Sequence, residues 1–339
     1  MSRNRMALFI LIVCVLGALP IGAGAQTLKI AAVVPDGTGW MREMRNSAKE
    51  ITDRTEGRVR FKFYPGGVMG NDKGVLRKIR IGQLHGGAMT ASGLTAIYRD
   101  AVIYNLPFIF WSYAEVDYVR KHMDRLIIDA LRERGFISFG LVEAGFSYFL
   151  SRRPIRTLDE LRKRKVWVPD DEEVGRTVFK ALGVFPVPLP LTDVLTALQT
   201  GLVDTVPNSP VGHITFQWHR RVKYFTDIPL LYLYGSLVIQ RRAFERLRSE
   251  DQAVVHDVLA AASGRIDRRN REANHRARMA LRRQGIVFFK PADEDLQKWR
   301  NVIAESVAGL SRDGVLSARM LTTLRGHLDD YRRIALKSQ

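Results

Sequence analysis

Hydroxyl, amide, carboxylate and aromatic side chains lie near the ends of predicted strands and the starts of predicted helices, where they could hold a small molecule. In domains that mix strands and helices, ligands bind outside the carboxyl ends of the strands, and clefts between domains are common small-molecule sites. The candidate binding residues are Trp40, Asp72, Thr90, Ser92, Phe146, Ser147, Trp167, Asp170, Asn208 and Trp218. Together they predict hydrogen bonding and stacking to a small organic solute.

The aromatic candidates have a structural alternative. Val166 and Val168 predict the buried face of a strand, and Trp167 alternates away from them. Trp167 is therefore either a surface on which the ligand stacks or a core tryptophan. Trp218 and Phe110 are expected to be cleft wall or core rather than specific ligand groups.

The chain has no recognised catalytic or metal-binding constellation. None of its seven histidines has metal-ligand spacing, and the sequence contains no nucleophile elbow, phosphate-binding loop or dinucleotide-binding glycine pattern. The four acids at 170–173 are expected to complement the dipole of the helix that they begin. We therefore expect a binding protein rather than an enzyme, with neither a metal ion nor a cofactor.

The composition is that of a globular protein with a strong positive charge. The chain has 339 residues, 46% of them hydrophobic, and a formal net charge of +18. This length is sufficient for two domains. Basic residues concentrate at 152–165 and 265–283. Because no zinc-finger spacing or stacking-aromatic motif accompanies them, we interpret most of this charge as solvated surface and expect no nucleic-acid partner.

Residues 1–25 are predicted to be a secretory signal peptide. A positively charged start precedes an apolar run at 6–19, and the small residues at 23–25 predict cleavage before Gln26. The single cysteine, Cys14, lies in this leader. The mature chain is therefore expected to be exported, to have no disulfide and not to be embedded in the membrane.

The elements that position the candidate residues alternate between strands and helices. Residues 151–210 predict a strand–helix–strand–helix–strand order, which is typical of an α/β domain. Residues 249–284 predict one helix with a single glycine and no proline. A helix of this length without a strict heptad repeat favours a strut that spans two lobes.

Several motifs, in order along the chain, resemble the periplasmic substrate-binding proteins of TRAP transporters, of the DctP type. Those in the first half are Tyr64-Pro65, Gly70-Asn71-Asp72, Ile81-Gly82-Gln83-Leu84 and Leu106-Pro107-Phe108-Ile109-Phe110. Those in the second half include Arg153-Pro154-Ile155, Val168-Pro169, Ala197-Leu198-Gln199, Gly201-Leu202-Val203-Asp204 and Asn208. Separated motifs in the right order are more specific than any one of them, and the resemblance extends from Leu28 to Pro291.

The resemblance implies an α/β fold of the two-lobed periplasmic binding protein type, in which each lobe is a mixed sheet flanked by helices. A long helix would span both lobes. On this basis lobe I comprises residues 26–144 and about 235–273, and lobe II comprises residues 145–234 and about 274–339. A monomer in the periplasm would close over a small organic solute and deliver it to integral-membrane TRAP permease subunits.

Two positions depart from the family pattern. The family commonly has arginines at the positions of Trp167 and Ser147, and a guanidinium binds a carboxylate through two parallel donors. An indole offers one donor and a large apolar face. We therefore hypothesise a solute that is more apolar or aromatic than the usual carboxylates, stacked on Trp167 and hydrogen-bonded by Asn208 and Thr90.

Two alternatives stay open at this point. Arg42 or Arg153 could meet a carboxylate in place of the missing arginines. The same fold could also serve a periplasmic carrier or sensing protein that passes an apolar ligand to a partner other than a permease.

Overall fold

The computed structural model describes residues 25–170 and 172–337. The predicted signal peptide, apart from its last residue, lies outside the described residues. The described residues form two lobes, and each lobe has strands flanked by helices. The α/β prediction is therefore confirmed.

Lobe I begins with alternating strands and helices. Its elements are β1 (Gln26–Ala32), α1 (Gly39–Arg54), β2 (Val59–Tyr64), α2 (Asp72–Arg80), β3 (Gly86–Thr90), α3 (Ala91–Leu94), α4 (Tyr113–Glu133) and β4 (Phe136–Ser138). A side-chain oxygen at the N-cap satisfies a backbone N–H of the first turn that has no partner within the helix. Thr38 caps α1 in this way, Asn71 caps α2 and Ser112 caps α4.

The chain then crosses to lobe II and returns. The elements in order are β5 (Val142–Ser151), α5 (Leu158–Arg162), β6 (Trp167–Pro169), α6 (Glu173–Ala181), β7 (Val187–Leu189), α7 (Val194–Thr200), β8 (Thr205–Asn208), α8 (Pro210–Thr215) and β9 (Tyr224–Gln240). They are followed by α9 (Arg241–Phe244), α10 (Ser249–Arg283), β10 (Val287–Phe289), α11 (Asp293–Arg312) and α12 (Ala318–Lys337). The strands β5 and β9 carry the chain between the lobes.

Because β5 and β9 pair along their lengths, eight strands from the two lobes share one sheet, while β6 and β7 of lobe II pair in a separate two-stranded sheet. The strand order is β2-β1-β3-β9-β5-β8, and β4 and β10 also pair with β9. The strand β1 is parallel to β2 and β3, whereas β9 is antiparallel to β3 and β5. The register between β5 and β9 shifts between Glu143 and Gly145, and Gly145 has a φ of 98°. A shift of this kind bends a strand, here where the chain passes from one lobe to the other.

The predicted strut is confirmed as α10, which begins at Ser249 and ends at Arg283. Its 35 residues correspond to about 52 Å at a rise of about 1.5 Å per residue. Val255 and Ile266 pack in a core cluster of lobe I, and Leu281 packs in a core cluster of lobe II. Charged residues occur along the whole helix, and no helix among the described residues has the length and apolarity to cross a bilayer.

Ion pairs attach α10 to both lobes. The pairs are Arg265–Glu43 at 2.6 Å, Arg271–Glu143 at 2.8 Å and Arg278–Asp227 at 2.7 Å. Glu43 is 4% exposed and Glu143 is fully buried. The expectation that the charges at 265–283 are solvated is therefore wrong for these arginines, because carboxylates of other elements lie opposite them.

The C-terminal helix departs from the expected division of the chain. The helix α11 packs against α5 and α6 of lobe II, whereas α12 packs against α4 of lobe I. Nε of Arg332 in α12 donates to Oε1 of the buried Glu115 in α4, at 2.8 Å. Residues 318–337 therefore belong with lobe I and not, as expected, with lobe II, because the loop before α12 carries the chain back across the boundary.

Candidate functional site

The lobes touch where strands of both lobes end. Asn71, the N-cap of α2, donates from Nδ2 to Oδ2 of Asp170 after β6, at 3.1 Å. Gly67 of lobe I also lies against lobe II, since a Cβ at this position would be 2.8 Å from the methyl carbon of Thr192. The predicted residue Asp170 is thus at the interlobe boundary. Its partner Asn71 was not among the candidates, although it lies beside Asp72.

Asp72 positions the turn between β3 and α3. Its Oδ2 accepts hydrogen bonds from the backbone N of Thr90, at 3.1 Å, and from the Thr90 hydroxyl, at 2.7 Å. Gly93 makes room for this carboxylate, because a Cβ there would lie 2.2 Å from the same oxygen. Asp72 is buried and Thr90 is exposed, so Thr90 is the member of the pair that a solute can reach.

A cavity of ≈ 360 Å³ lies between the lobes. Lobe I contributes Ser92 and Arg99, lobe II contributes Glu172 and Glu173, and Asp313 comes from the segment before α12. Its charged lining therefore has more carboxylates than cations. Ser92 is only 5% exposed, and its hydroxyl forms no hydrogen bond to the rest of the described protein, so it is a ready partner for a bound solute.

The side chain of Asn208 has one atom that forms a hydrogen bond within the protein and one that does not. Its Oδ1 accepts from the backbone N of Ser209 at 2.8 Å, and Gly212 leaves room for it, because a Cβ there would lie 2.3 Å from Oδ1. The Nδ2 group forms no hydrogen bond within the described residues, and Asn208 is partly exposed. Asn208 can therefore donate to a solute at the carboxyl end of β8.

Ser147 and Phe146 lie in the middle of β5 and are both buried. The Phe146 ring packs against Tyr113, with centroids 4.8 Å apart, and against Tyr232 at 5.8 Å. The Ser147 hydroxyl has no hydrogen-bond partner within the described protein. Phe146 is thus part of the core at the crossing between the lobes, and Ser147 is a small buried residue beside it.

Trp167 is a core residue in this structure. It is 4% exposed, and Trp218 is fully buried. The Trp167 Nε1 donates to the carbonyl of Leu189 at 2.9 Å, and its ring meets Trp218 at 5.2 Å in an edge-to-face arrangement. Of the two readings left open for Trp167, this environment is that of a core tryptophan, because β6 is buried on both faces: Val168 and Trp167 lie in different core clusters.

Trp40 and Trp218 also lie in packed surroundings. Trp40, in the first turn of α1, is half-buried and packs against the core cluster of lobe I that contains Ile51. The structure therefore does not bring Trp40, Trp167 and Trp218 together around one ligand. The candidates at or near the interlobe boundary are Thr90, Ser92, Asp170 and Asn208.

His213 is a titratable residue in this part of lobe II that sequence reasoning did not select. It is fully buried in α8, its Nε2 lies 3.2 Å from the carbonyl of Tyr148, and its ring packs against Trp218. Burial lowers the pKa of His213 to about 3, because the charged form would lose its hydration. His213 is therefore neutral at physiological pH.

The site contains no recognisable metal centre in the part of the chain that the structure describes. No group of three or more His, Cys, Asp or Glu side chains there could hold a metal ion. The polar atoms at the interlobe boundary are hydroxyl, amide and carboxylate groups, which suit hydrogen bonding to an organic solute.

Comparison with known proteins identifies relatives over most of the chain. Residues 30–313 match the family DctP, described as bacterial extracellular solute-binding protein, family 7. The C4-dicarboxylate-binding periplasmic protein DctP of Rhodobacter capsulatus is 22% identical over 260 residues, which are 75% of this chain and 78% of that protein. In three sequence relatives, one of them this Rhodobacter capsulatus protein, the segment that aligns with this chain makes up 66%, 78% and 66% of the relative's own length.

Solved structures share both lobes. The sugar acid binding protein DctPAm of Advenella mimigardefordensis, in complex with galactonate, has a TM-score of 0.83 at 20% identity and covers 91% of this chain and 99% of its own. DctP7 of Bordetella pertussis, which binds pyroglutamic acid, has a TM-score of 0.82 at 20% identity. It covers 90% of this chain and 100% of its own. At these identities the likeness establishes the fold, and the family match over most of the sequence establishes the lineage. The chain belongs to the DctP family of TRAP periplasmic solute-binding proteins.

Proposed function

We propose that this protein is the periplasmic component of a TRAP-type secondary transporter, which captures a small organic solute and delivers it to membrane permease subunits. The observation that carries the proposal is the interlobe geometry. Two lobes joined by β5, β9 and α10 face each other across a polar cavity. Such a connection permits closure around a solute by hinge motion, and the family to which the chain belongs supports the transport role.

We propose further that the solute is more apolar or aromatic than a dicarboxylate. The positions where the family commonly has arginines hold the buried Ser147 and Trp167. The interlobe cavity sets Arg99 against Glu172, Glu173 and Asp313, and carboxylates of the protein would repel those of a solute.

The hydrogen-bond partners in this proposal are neutral groups. The Ser92 hydroxyl and the Asn208 amide would bind hydroxyl, carbonyl or amide groups of the solute. Stacking on Trp167 is not retained, since Trp218 packs against its ring and its N–H is bonded to Leu189.

The test uses a substitution that preserves the local fold. Asn208→Asp keeps the oxygen that accepts from Ser209 and replaces the amide donor with a second oxygen. We expect native mass spectrometry of the purified protein to show a bound solute, and its affinity to fall at least about tenfold in Asn208→Asp. Asn301→Asp, at an exposed position of α11, is the matched control and should bind as the wild type does.

The outcomes separate the two levels of the proposal. A small dicarboxylate bound equally by the wild type and Asn208→Asp would contradict the ligand proposal but leave solute binding intact. Failure of the wild type to bind any member of a panel of organic acids, sugars and aromatic solutes would contradict the solute-binding role itself.

A further inference from the structure

The end of lobe II that is remote from the interlobe boundary brings together segments that are distant in sequence. The backbone N of Arg152 donates to the carbonyl of Asp204 at 3.0 Å, and the N of Asp204 donates to that of Lys165 at 3.1 Å. The N of Lys223 donates to the carbonyl of Ser151 at 3.0 Å. The beginnings of β6, β8 and β9 and the end of β5 therefore lie along one edge.

This edge carries a cluster of basic side chains, which we call the basic pole. It consists of Arg152, Arg153, Lys163, Arg164, Lys165, Arg220, Arg221, Lys223 and Arg283, and all of them except Arg164 are exposed. Among the described residues none of these nine forms an ion pair, in contrast to the arginines of α10 that bind Glu43, Glu143 and Asp227. The acid on the same edge, Asp204, accepts from the backbone N of Lys165 and from the Thr205 hydroxyl.

Two side chains of the basic pole bind backbone carbonyls of the lobe, Arg152 that of Leu198 and Lys165 that of Gly201, and the other seven form no hydrogen bond within the described protein. Like charges that are crowded without counter-charges reduce the stability of the compact state, so their accumulation points to an anionic partner. Two aliphatic side chains near this edge are also open to solvent: Leu202 is 50% exposed and Val287 is 43% exposed. Surfaces that bind bilayers peripherally combine cationic side chains with exposed apolar side chains in this way.

We propose that the basic pole binds an anionic phospholipid surface. Arg153, Arg220, Arg221 and Lys223 make no side-chain hydrogen bonds within the described protein, so they are free to follow headgroup phosphates whose positions are not fixed. The strands β6 and β8 run from the basic pole to the interlobe boundary, which they reach near Asp170 and Asn208. A protein held by the basic pole would keep its cleft directed away from the lipid. This inference does not depend on the identity of the solute.

Vesicle sedimentation tests the proposal with the mature chain. The wild type should sediment with vesicles in which about one third of the lipid is phosphatidylglycerol and remain in solution with pure phosphatidylcholine, and added salt should release it. The variant Arg153→Glu/Arg220→Glu/Arg221→Glu/Lys223→Glu should bind the anionic vesicles at least tenfold more weakly. Its thermal unfolding, followed by circular dichroism, checks that the lobe still folds.

The control variant changes the net charge by the same amount in lobe I. Arg60→Glu/Lys62→Glu/Lys73→Glu/Arg77→Glu replaces four exposed cations and should retain vesicle binding. An equal loss of vesicle binding in both variants would show a general effect of net charge and overturn the proposal. A wild type that fails to sediment with the anionic vesicles would also overturn the proposal. The same holds if the wild type does not sediment and the four cations instead mediate crosslinking to a membrane protein.

Site-directed labelling gives a second readout that does not require the charge-reversal variant to fold. The single cysteine of the chain lies in the predicted leader, so a cysteine introduced into the mature chain can be labelled alone. An environment-sensitive dye on Leu202→Cys should shift to the blue on anionic vesicles, and a dye on Ile81→Cys, which is 65% exposed in lobe I, should not. A shift at Ile81 without one at Leu202 would contradict docking through the basic pole.

Discussion

Trp167 illustrates at the residue scale how packing decides between a ligand contact and a core contact. Its indole N–H is bonded to Leu189, and Trp218 lies against its ring. We predict that Trp167→Ala lowers the free energy of unfolding by about 3–5 kcal/mol, since large-to-small changes in a core leave a cavity. Urea unfolding measures this effect.

An exposed aromatic residue provides the comparison for Trp167. Phe185 is 83% exposed, and Phe185→Ala should change the free energy of unfolding by less than about 0.5 kcal/mol. If Trp167→Ala kept wild-type stability and lost only solute binding, Trp167 would be a ligand residue after all.

His213 predicts a pH dependence of stability. Its pKa falls from 6.5 in the unfolded chain to about 3 when buried, so the unfolded state binds a proton that the folded state does not. The stability contributed by neutral His213 is complete above pH 6.5 and is lost as the pH falls toward 3. His213→Gln, which keeps an amide donor for the carbonyl of Tyr148, should remove this dependence.

The measurement for His213 is the difference between the two proteins, which cancels the other titrating groups. Relative to His213→Gln, the wild type should lose about 1.4 kcal/mol per pH unit within that window, as measured by urea unfolding at several pH values. Parallel pH profiles would show that His213 is protonated in the fold or titrates alike in both states.

At the scale of elements, the attachment of α10 to β5 depends on a buried carboxylate. Glu143 is fully buried, and burial raises its pKa. It accepts from Arg271 at 2.8 Å and from the Tyr232 hydroxyl at 3.0 Å. The Arg271 guanidinium also lies over the Tyr113 ring, 4.4 Å from its centroid. The pair thus joins the strut to the strand that crosses between the lobes.

We predict that Arg271→Ala destabilises the protein by about 3–5 kcal/mol, because it leaves the Glu143 carboxylate buried without its cation. Adding Glu143→Gln should recover part of the loss, since a neutral amide is cheaper to bury than an unpaired charge. A double-mutant cycle by chemical denaturation measures the coupling. Additive effects of the two substitutions would show that the pair contributes no specific interaction.

The elements themselves were largely predictable from sequence. The single glycine and the absence of proline predicted residues 249–284 as one helix, and the structure has α10 from Ser249 to Arg283. Local sequence carries such patterns because helix propensity and amphipathicity depend on near neighbours. The strand at 166–169 was also expected, but its double-sided burial was not, since the residues that cover Trp167 come from segments far along the chain.

The site was predictable only in part for the same reason. Thr90 and Asn208 end strands, Ser92 and Asp170 come just after strands, and strand ends can be predicted from sequence. Other contacts depend on which helix meets which strand. The partners of the α10 arginines, the contact between Asn71 and Asp170, and the return of α12 to lobe I are long-range contacts that no local pattern encodes.

At the scale of the whole molecule, the closure that we propose must be compatible with several connections between the lobes. The strands β5 and β9 and the helix α10 run through both lobes, and α11 and α12 connect lobe II back to lobe I. Relative motion of the lobes would therefore be concentrated in short flexible places, such as the irregular part of β5 at Gly145 and the turn at Gly314, which has a φ of 70°. Contacts across the boundary then determine how much of the population is closed.

The hydrogen bond from Asn71 to Asp170 is such a contact. Asn71→Asp keeps the oxygen that caps α2 through Gly74 but places a second carboxylate against Asp170. We predict that repulsion opens the lobes and weakens solute binding about tenfold, or about 1.4 kcal/mol, with the larger change in the dissociation rate. Stopped-flow binding and small-angle scattering measure the two effects.

Exchanging the two groups tests whether the contact itself is responsible. In Asn71→Asp/Asp170→Asn the donor and the acceptor trade places and the net charge is that of the wild type, so binding and compactness should return. Rescue by the double variant, with Asp170→Asn alone weaker than the wild type, would assign the effect to a hydrogen bond that stabilises the closed form. Persistent loss in the double variant would mean that Asp170 contacts the solute directly. Because its carboxylate would then be the ligand group, the solute would have to carry a hydrogen-bond donor, which a fully ionised dicarboxylate lacks.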